Sequence, residues 1–201
     1  MKRIVALLLA LTLVFALASC KPDDTPDGPA KLDITPVKEA IAATALTSAR
    51  VEVVASNDFL PEHPLTAKYD VVYNSDGSAS VVFTYDQYND ITPEGGDIIT
   101  TSRGSATVAA DGTVTGDPVS GTVTGAASVS FNLDESKLAS FDLSMGILSA
   151  NVAKENTAAV LGSAINADVV LTVATANGVV TGATISYVLD GVHYEISCTY
   201  N

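Results

Sequence analysis

Tryptophan is absent from this chain, histidine and cysteine occur twice each, and 10 basic residues face 23 acidic ones. Each scarcity excludes something. Without tryptophan, a stacking platform for carbohydrate would have to come from tyrosines such as Tyr69, Tyr73, Tyr85 and Tyr88. A zinc site draws on clustered His and Cys, whereas His63, His193 and the cysteines lie far apart. The shortage of Lys and Arg argues against nucleic acid, whose binding depends on neutralised phosphates. It argues equally against docking of the protein face on anionic lipid. There is no Gly-x-Ser-x-Gly elbow, no Walker loop and no Gly-x-Gly-x-x-Gly after a strand. Carboxylates are plentiful but scatter through turns and polar strand faces rather than forming an acid/base pair. Asn74-x-Asp76-Gly77 lacks the distal glutamate of a calcium loop and reads as a turn. The expectation is a protein without catalytic, metal or cofactor residues, and not an enzyme.

What the chain does have is a marked N-terminus. Lys2 and Arg3 precede an uncharged run from Ile4 to Leu17. As a helix these 14 or so residues would reach about 21 Å, short of the ~20 residues that a bilayer core requires. A positive flank, a short apolar core and small residues before a cut are the marks of a secretory signal. Leu17-Ala18-Ser19-Cys20 resembles the lipobox of bacterial lipoproteins. That resemblance implies cleavage before Cys20, diacylglycerol on its thiol, and acyl chains such as palmitate anchoring the chain to a membrane. Two or three acyl chains, at about 0.8 kcal/mol per buried methylene, suffice for stable anchoring. The expected location is the bacterial cell envelope, facing the periplasm or the exterior.

Residues 20–34 read as the lipidated cysteine and an acidic, proline-rich tether with nothing to bury. Lys21 after the lipidated residue would, under enterobacterial-type sorting, imply the outer membrane. Removing residues 1–19 takes away two basic residues and no acidic ones, which moves the net charge from −13 to −15 and leaves 182 of the 201 residues. Residues 35–201 are expected to form one domain. With Cys20 consumed by lipid, Cys198 has no disulfide partner. It alternates with Val192, Tyr194, Ile196 and Tyr200 on one strand face, the pattern of a buried inert thiol, with His193 on the opposite face.

Along the body, Thr35 reads as the cap and Pro36 as the first position of a helix running Val37 to Ala49. Strand patterns follow at Val51–Ala55, at Tyr69–Tyr73 and, across the Asn74–Gly77 turn, at Ala79–Tyr85. Residues 86–97 read as a loop. Further strands are expected at Ile98–Ala109 and Thr113–Thr115, at Thr122–Thr124 in the repeat Gly121-Thr-Val-Thr-Gly125, at Ala127–Leu133, and at Phe141–Ile147. Lys154–Ala164 suits a short helix or an irregular crossing. Ala167–Ala176, Val179–Leu189 and Val192–Tyr200 form a meander with Asn177-Gly178 and Asp190-Gly191 at its turns.

The fold class is therefore mainly β, either a strongly curved antiparallel sheet (half-barrel) with one N-terminal helix and a short second one, or a β-sandwich. The order of helix, long meander, late crossing and terminal hairpins over about residues 36–200 resembles the lipoprotein-carrier half-barrels of the LolA, LolB and LppX type. That resemblance implies a binding protein, and two readings follow. One is a non-enzymatic envelope lipoprotein taking a hydrophobic ligand, peptide or envelope protein. The other is a structural or adhesive module with no small ligand.

Overall fold

The computed structural model describes residues 32–57, 64–88 and 99–201. Leu17, Ala18, Ser19, Cys20, most of the tether, His63 and the heart of the 86–97 segment lie outside the described residues. From Asp33 onward the described residues belong to one unit.

Helix α1 spans Thr35–Ala43. The strands that precede the next helix are β1 (Ser48–Asn57), β2 (Leu65–Tyr73), β3 (Ala79–Tyr88), β4 (Ile99–Val108) and β5 (Val114–Gly116). Helix α2 (Gly121–Ala127) and a 3₁₀ turn lead to β6 (Ser140–Ser144) and β7 (Ile147–Val152). A second 3₁₀ turn and α3 (Thr157–Leu161) precede β8 (Val169–Ala176), β9 (Val179–Leu189) and β10 (Val192–Tyr200). All ten strands join in one antiparallel sheet of order β5-β4-β3-β2-β1-β10-β9-β8-β7-β6. The ends do not meet, so the sheet is an open half-barrel and not a sandwich. The first and last strands pair at its centre, Ala49 opposite Tyr200.

Alternation sets the two faces. In β7, Leu148, Ala150 and Val152 are buried while Ile147, Ser149 and Asn151 are exposed. Val169, Leu171 and Val173 of β8 and Ile196, Cys198 and Tyr200 of β10 fall on the same inner side, as a period of two requires. The helices pack there too, α1 against β8 and β9, α2 against β1 and β10. Fully buried side chains such as Leu148, Leu171 and Ile185 each contribute about 1.5–3 kcal/mol.

Several expectations need correction. Thr35 is the first helical residue and not the cap; its backbone N–H donates to the Asp33 carboxylate at 2.9 Å, while Pro36 does sit in the first turn. Helix α1 stops at Ala43, not Ala49, because Thr44 turns extended, donates its hydroxyl to Ala40 O and accepts from Val180 N. The segment 86–97 is not loop throughout, since β3 runs to Tyr88. Gly121–Gly125 is helical rather than a strand. Residues 128–134 form no strand, although Val129, Phe131 and Leu133 are buried alternately. Phe141–Ile147 is the end of one hairpin strand and the start of another, reversed at Met145 (φ 50°) and Gly146 (φ 78°). Met145 there is 98% exposed. The Lys154–Ala164 crossing and the terminal meander match expectation, with Asn177 and Asp190 both at positive φ.

Candidate functional site

The inner face can be read as rows across the sheet from the strand register. One row runs Ile196, Val53, Ala67, Tyr85 and Ser102. Beside it run Cys198, Val51, Tyr69, Phe83 and Gly104. On the β6–β10 side these rows are deeply buried. On β1–β4 the cover is uneven: Val51, Phe83 and Gly104 are buried, whereas Val53, Ala67, Tyr69 and Tyr85, and Ala55 beside them, are only half-buried.

Aromatic rings pave this half. Tyr69 stacks on Phe83 with centroids 5.1 Å apart, and Tyr85 lies 5.9 Å from Phe83 on its other side. Gly104 makes the paving possible. A Cβ there would stand 2.5 Å from Phe83 Cζ and 2.7 Å from Cε2, so the ring lies flat on the backbone of β4 only because that position has no side chain. A second aromatic pair, Tyr187 and Tyr194, stacks at 4.9 Å across β9 and β10. These pairs prefer offset geometry and add about 0.5–1.5 kcal/mol each beyond area burial.

At one end the paved half runs under α2. A pocket of about 120 Å³ lies between Val71, Ala79 and Val81 of the sheet, Val108, Val119, and Val123 and Ala127 of the helix. Helix α2 is held from below by two phenols. Tyr200 Oη donates to Ala126 O and Tyr73 Oη to Ala127 O, both at 2.6 Å. They satisfy carbonyls that a helix C-terminus leaves without internal partners. Just beyond, buried Val129 adopts φ 54°, a left-handed conformation that a branched side chain resists.

Burial raises the Tyr73 hydroxyl to about 12 and the Cys198 thiol to about 11, and it pushes Tyr200, Tyr69 and Tyr187 up as well. Cys198 is buried and His193 is exposed on the other face, so the thiol is neither ionised at neutral pH nor beside a base.

The carboxylates are occupied in turns. Hydrogen bonds from Thr35, Ser78, Thr113 and Ser136, two residues on in each case, hold Asp33, Asp76, Asp111 and Asp134 below the ordinary carboxylate range. Asp86 ties three strands, accepting from Thr66 N, Thr66 Oγ1 and Thr101 Oγ1, and these bonds lower it too. On the outer face a wider hollow of about 750 Å³ does bring His193, Glu195 and Asp168 together with Val54, Val170 and Val188. No hydrogen bond joins those three. Asp168 instead accepts from Lys154 N at 2.9 Å. Among the described residues no group of His, Cys, Asp and Glu could hold a metal ion.

No family model and no curated protein matches the chain. Among solved structures, LprF from Mycobacterium bovis is similar over 82% of this chain and 90% of that one, at 14% identity and a TM-score of 0.35. At that score the likeness carries no argument. Sequence pattern alone does not single out the half-open aromatic face as a site; it offers Tyr69, Tyr73, Tyr85 and Tyr88 only as possible stacking tyrosines.

Proposed function

We propose that this chain is a cell-envelope lipoprotein, anchored by lipid on Cys20, that binds an apolar ligand without chemistry on the inner face of its half-barrel. The observation that carries the reading is the unequal cover of that face. Helices and buried loops fill it over β6–β10, while Tyr69, Tyr85, Val53 and Ala67 are only partly covered on β1–β4. A soluble domain rarely leaves contiguous apolar surface open without a use. The pocket beneath α2 is smaller than the ~300–1,000 Å³ of ordinary small-molecule sites, so the ligand lies along the aromatic floor with only its end beneath the helix. An acyl chain has that shape, and its burial would gain about 0.8 kcal/mol per methylene. Cleavage before Cys20, residence in the envelope and a membrane partner belong to the same proposal. They rest on Leu17, Ala18, Ser19 and Cys20.

The test is native mass spectrometry of the protein released from membranes, with a fluorescent fatty acid titrated into the stripped chain. Co-purifying lipid and probe binding weakened at least about tenfold by Tyr69→Asp or Tyr85→Asp are expected. Absence of both lipid and probe binding would leave the face a closed core and the adhesive reading in its place. Metabolic labelling with palmitate, lost in Cys20→Ser, tests the anchor separately.

A further inference from the structure

The sheet ends in short strands on both sides, three residues in β5 and five in β6, which is how natural sheets blunt their edges. The β4 edge is an exception. Of the ten residues in β4, only Ala106–Val108 pair with β5. The chain then leaves. Asp117 N donates to Ser105 O, and the Asp117 carboxylate, rather than a further backbone carbonyl, accepts from Ser105 N at 2.8 Å. Pro118 follows and has no N–H to continue the ladder.

These bonds show which residues face outward. Ser105 bonds toward β5, so by the two-residue period the N–H and C=O of Arg103 and Thr101 point the same way. Neither has a backbone partner on that side among the described residues. No proline, bulge or lysine guards the stretch. Its outer face bears Arg103, exposed and without an ion pair among the described residues. Arg103 ends a row that runs Glu52, Lys68, Thr84 and Arg103. Lys68 is paired with Glu52 at 3.4 Å and Asp86 is tied to Thr66 and Thr101, so the Arg103 guanidinium is the cation of that row left for an incoming carboxylate. The inner side of the same stretch carries Ser102 and Gly104 beside Tyr85 and Phe83.

We propose that the Thr101–Arg103 edge of β4 is a strand-addition site for an extended segment of a partner protein whose side chains alternate acidic and apolar. The backbone of Thr101 and Arg103 offers four ladder bonds in line with β5. A carboxylate on the outer side of the incoming strand meets Arg103, and the apolar side chains on its inner side prolong the floor of Tyr85 and Phe83. Main-chain bonds supply affinity in this mode of recognition and alternate side chains supply specificity.

The probe is an acetylated, amidated heptapeptide alternating valine and aspartate, added to the full chain and followed by fluorescence anisotropy and amide hydrogen exchange. In the free chain the Thr101 and Arg103 amides should exchange as in an unstructured peptide. With the probe they should slow at least about tenfold, while binding falls at least about tenfold in Arg103→Glu and in Thr101→Pro, a substitution that edge strands tolerate. A probe N-methylated on its ladder-facing amides should fail in the same way, independently of any variant's folding. Protection of the two amides in the free chain would overturn the proposal, and concentration-dependent protection would assign the edge to a second copy. No binding of the probe, or binding indifferent to Arg103→Glu and to N-methylation, would overturn it as well.

Discussion

Replacing Tyr200 with Phe removes one oxygen and leaves the ring in place. The Tyr200 hydroxyl donates to Ala126 O at 2.6 Å from a buried position. Without it that carbonyl, in the last turn of α2, is left beneath the helix with no donor in reach. A buried acceptor stripped of its partner costs about 1–3 kcal/mol. Tyr73 makes the matching bond to Ala127 O but is only half-buried, so Tyr73→Phe should cost less, about 0.5–1.5 kcal/mol. Urea unfolding at neutral pH measures both, and each kcal/mol should move the melting temperature by roughly 2–4 °C in a unit of this size. Because both phenols hold one helix end, the double variant should cost less than the sum of the singles by at least about 0.5 kcal/mol. Tyr200→Phe within about 0.5 kcal/mol of the parent would refute the clamp, and strict additivity would refute the shared helix end.

The thiol of Cys198 rises from its ordinary 9.0 to about 11 through burial, so the folded chain keeps a proton that the unfolded chain releases. The corresponding stability is intact below pH 9 and declines toward pH 11, by about 2–3 kcal/mol at two pKa units. Thiol-reagent kinetics at pH 8 should show labelling only after unfolding, and fast labelling of the native chain would contradict the burial. Gly104→Ala places a methyl where the Phe83 ring now lies; a cost of about 1–3 kcal/mol in stability, with weaker binding of the fluorescent fatty acid, is expected. An unchanged melting temperature would show that the ring moves freely.

The terminal meander was legible because local chemistry and global pairing agree there: Asn177-Gly178 and Asp190-Gly191 take the positive φ that tight hairpins require. Helix α2 was not legible. Thr122, Val123 and Thr124 favour strands and Gly121 and Gly125 disfavour helix. What holds the segment helical is distant, the phenols of Tyr73 and Tyr200 and the burial of Val123, Ala126 and Ala127. Phe141 to Ile147 misled for another reason. Apolar alternation survived the reversal at Met145-Gly146, where methionine gives no hint of positive φ and the lone glycine was the only sign. Residues 128–134 show that alternation reports one-sided burial of extended chain and not the presence of a pairing strand. The aromatic floor was half-visible: its tyrosines could be named, but Gly104, which lets Phe83 lie down, has meaning only once β3 and β4 are paired.

The central pairing of β1 with β10 joins residues about 150 positions apart, Ala49 with Tyr200. The two flanking meanders, β1–β5 and β6–β10, consist of neighbours in sequence and can form early, but the seam between them belongs to the slow class of contacts that must close a long loop first. A chain synthesised from its N-terminus cannot close that seam before Tyr200 emerges. Completion of the chain therefore precedes the final folding step. Until then the inner faces of the two half-sheets stand open, and the most exposed moment in the life of the protein falls just before the pairing of its last strand.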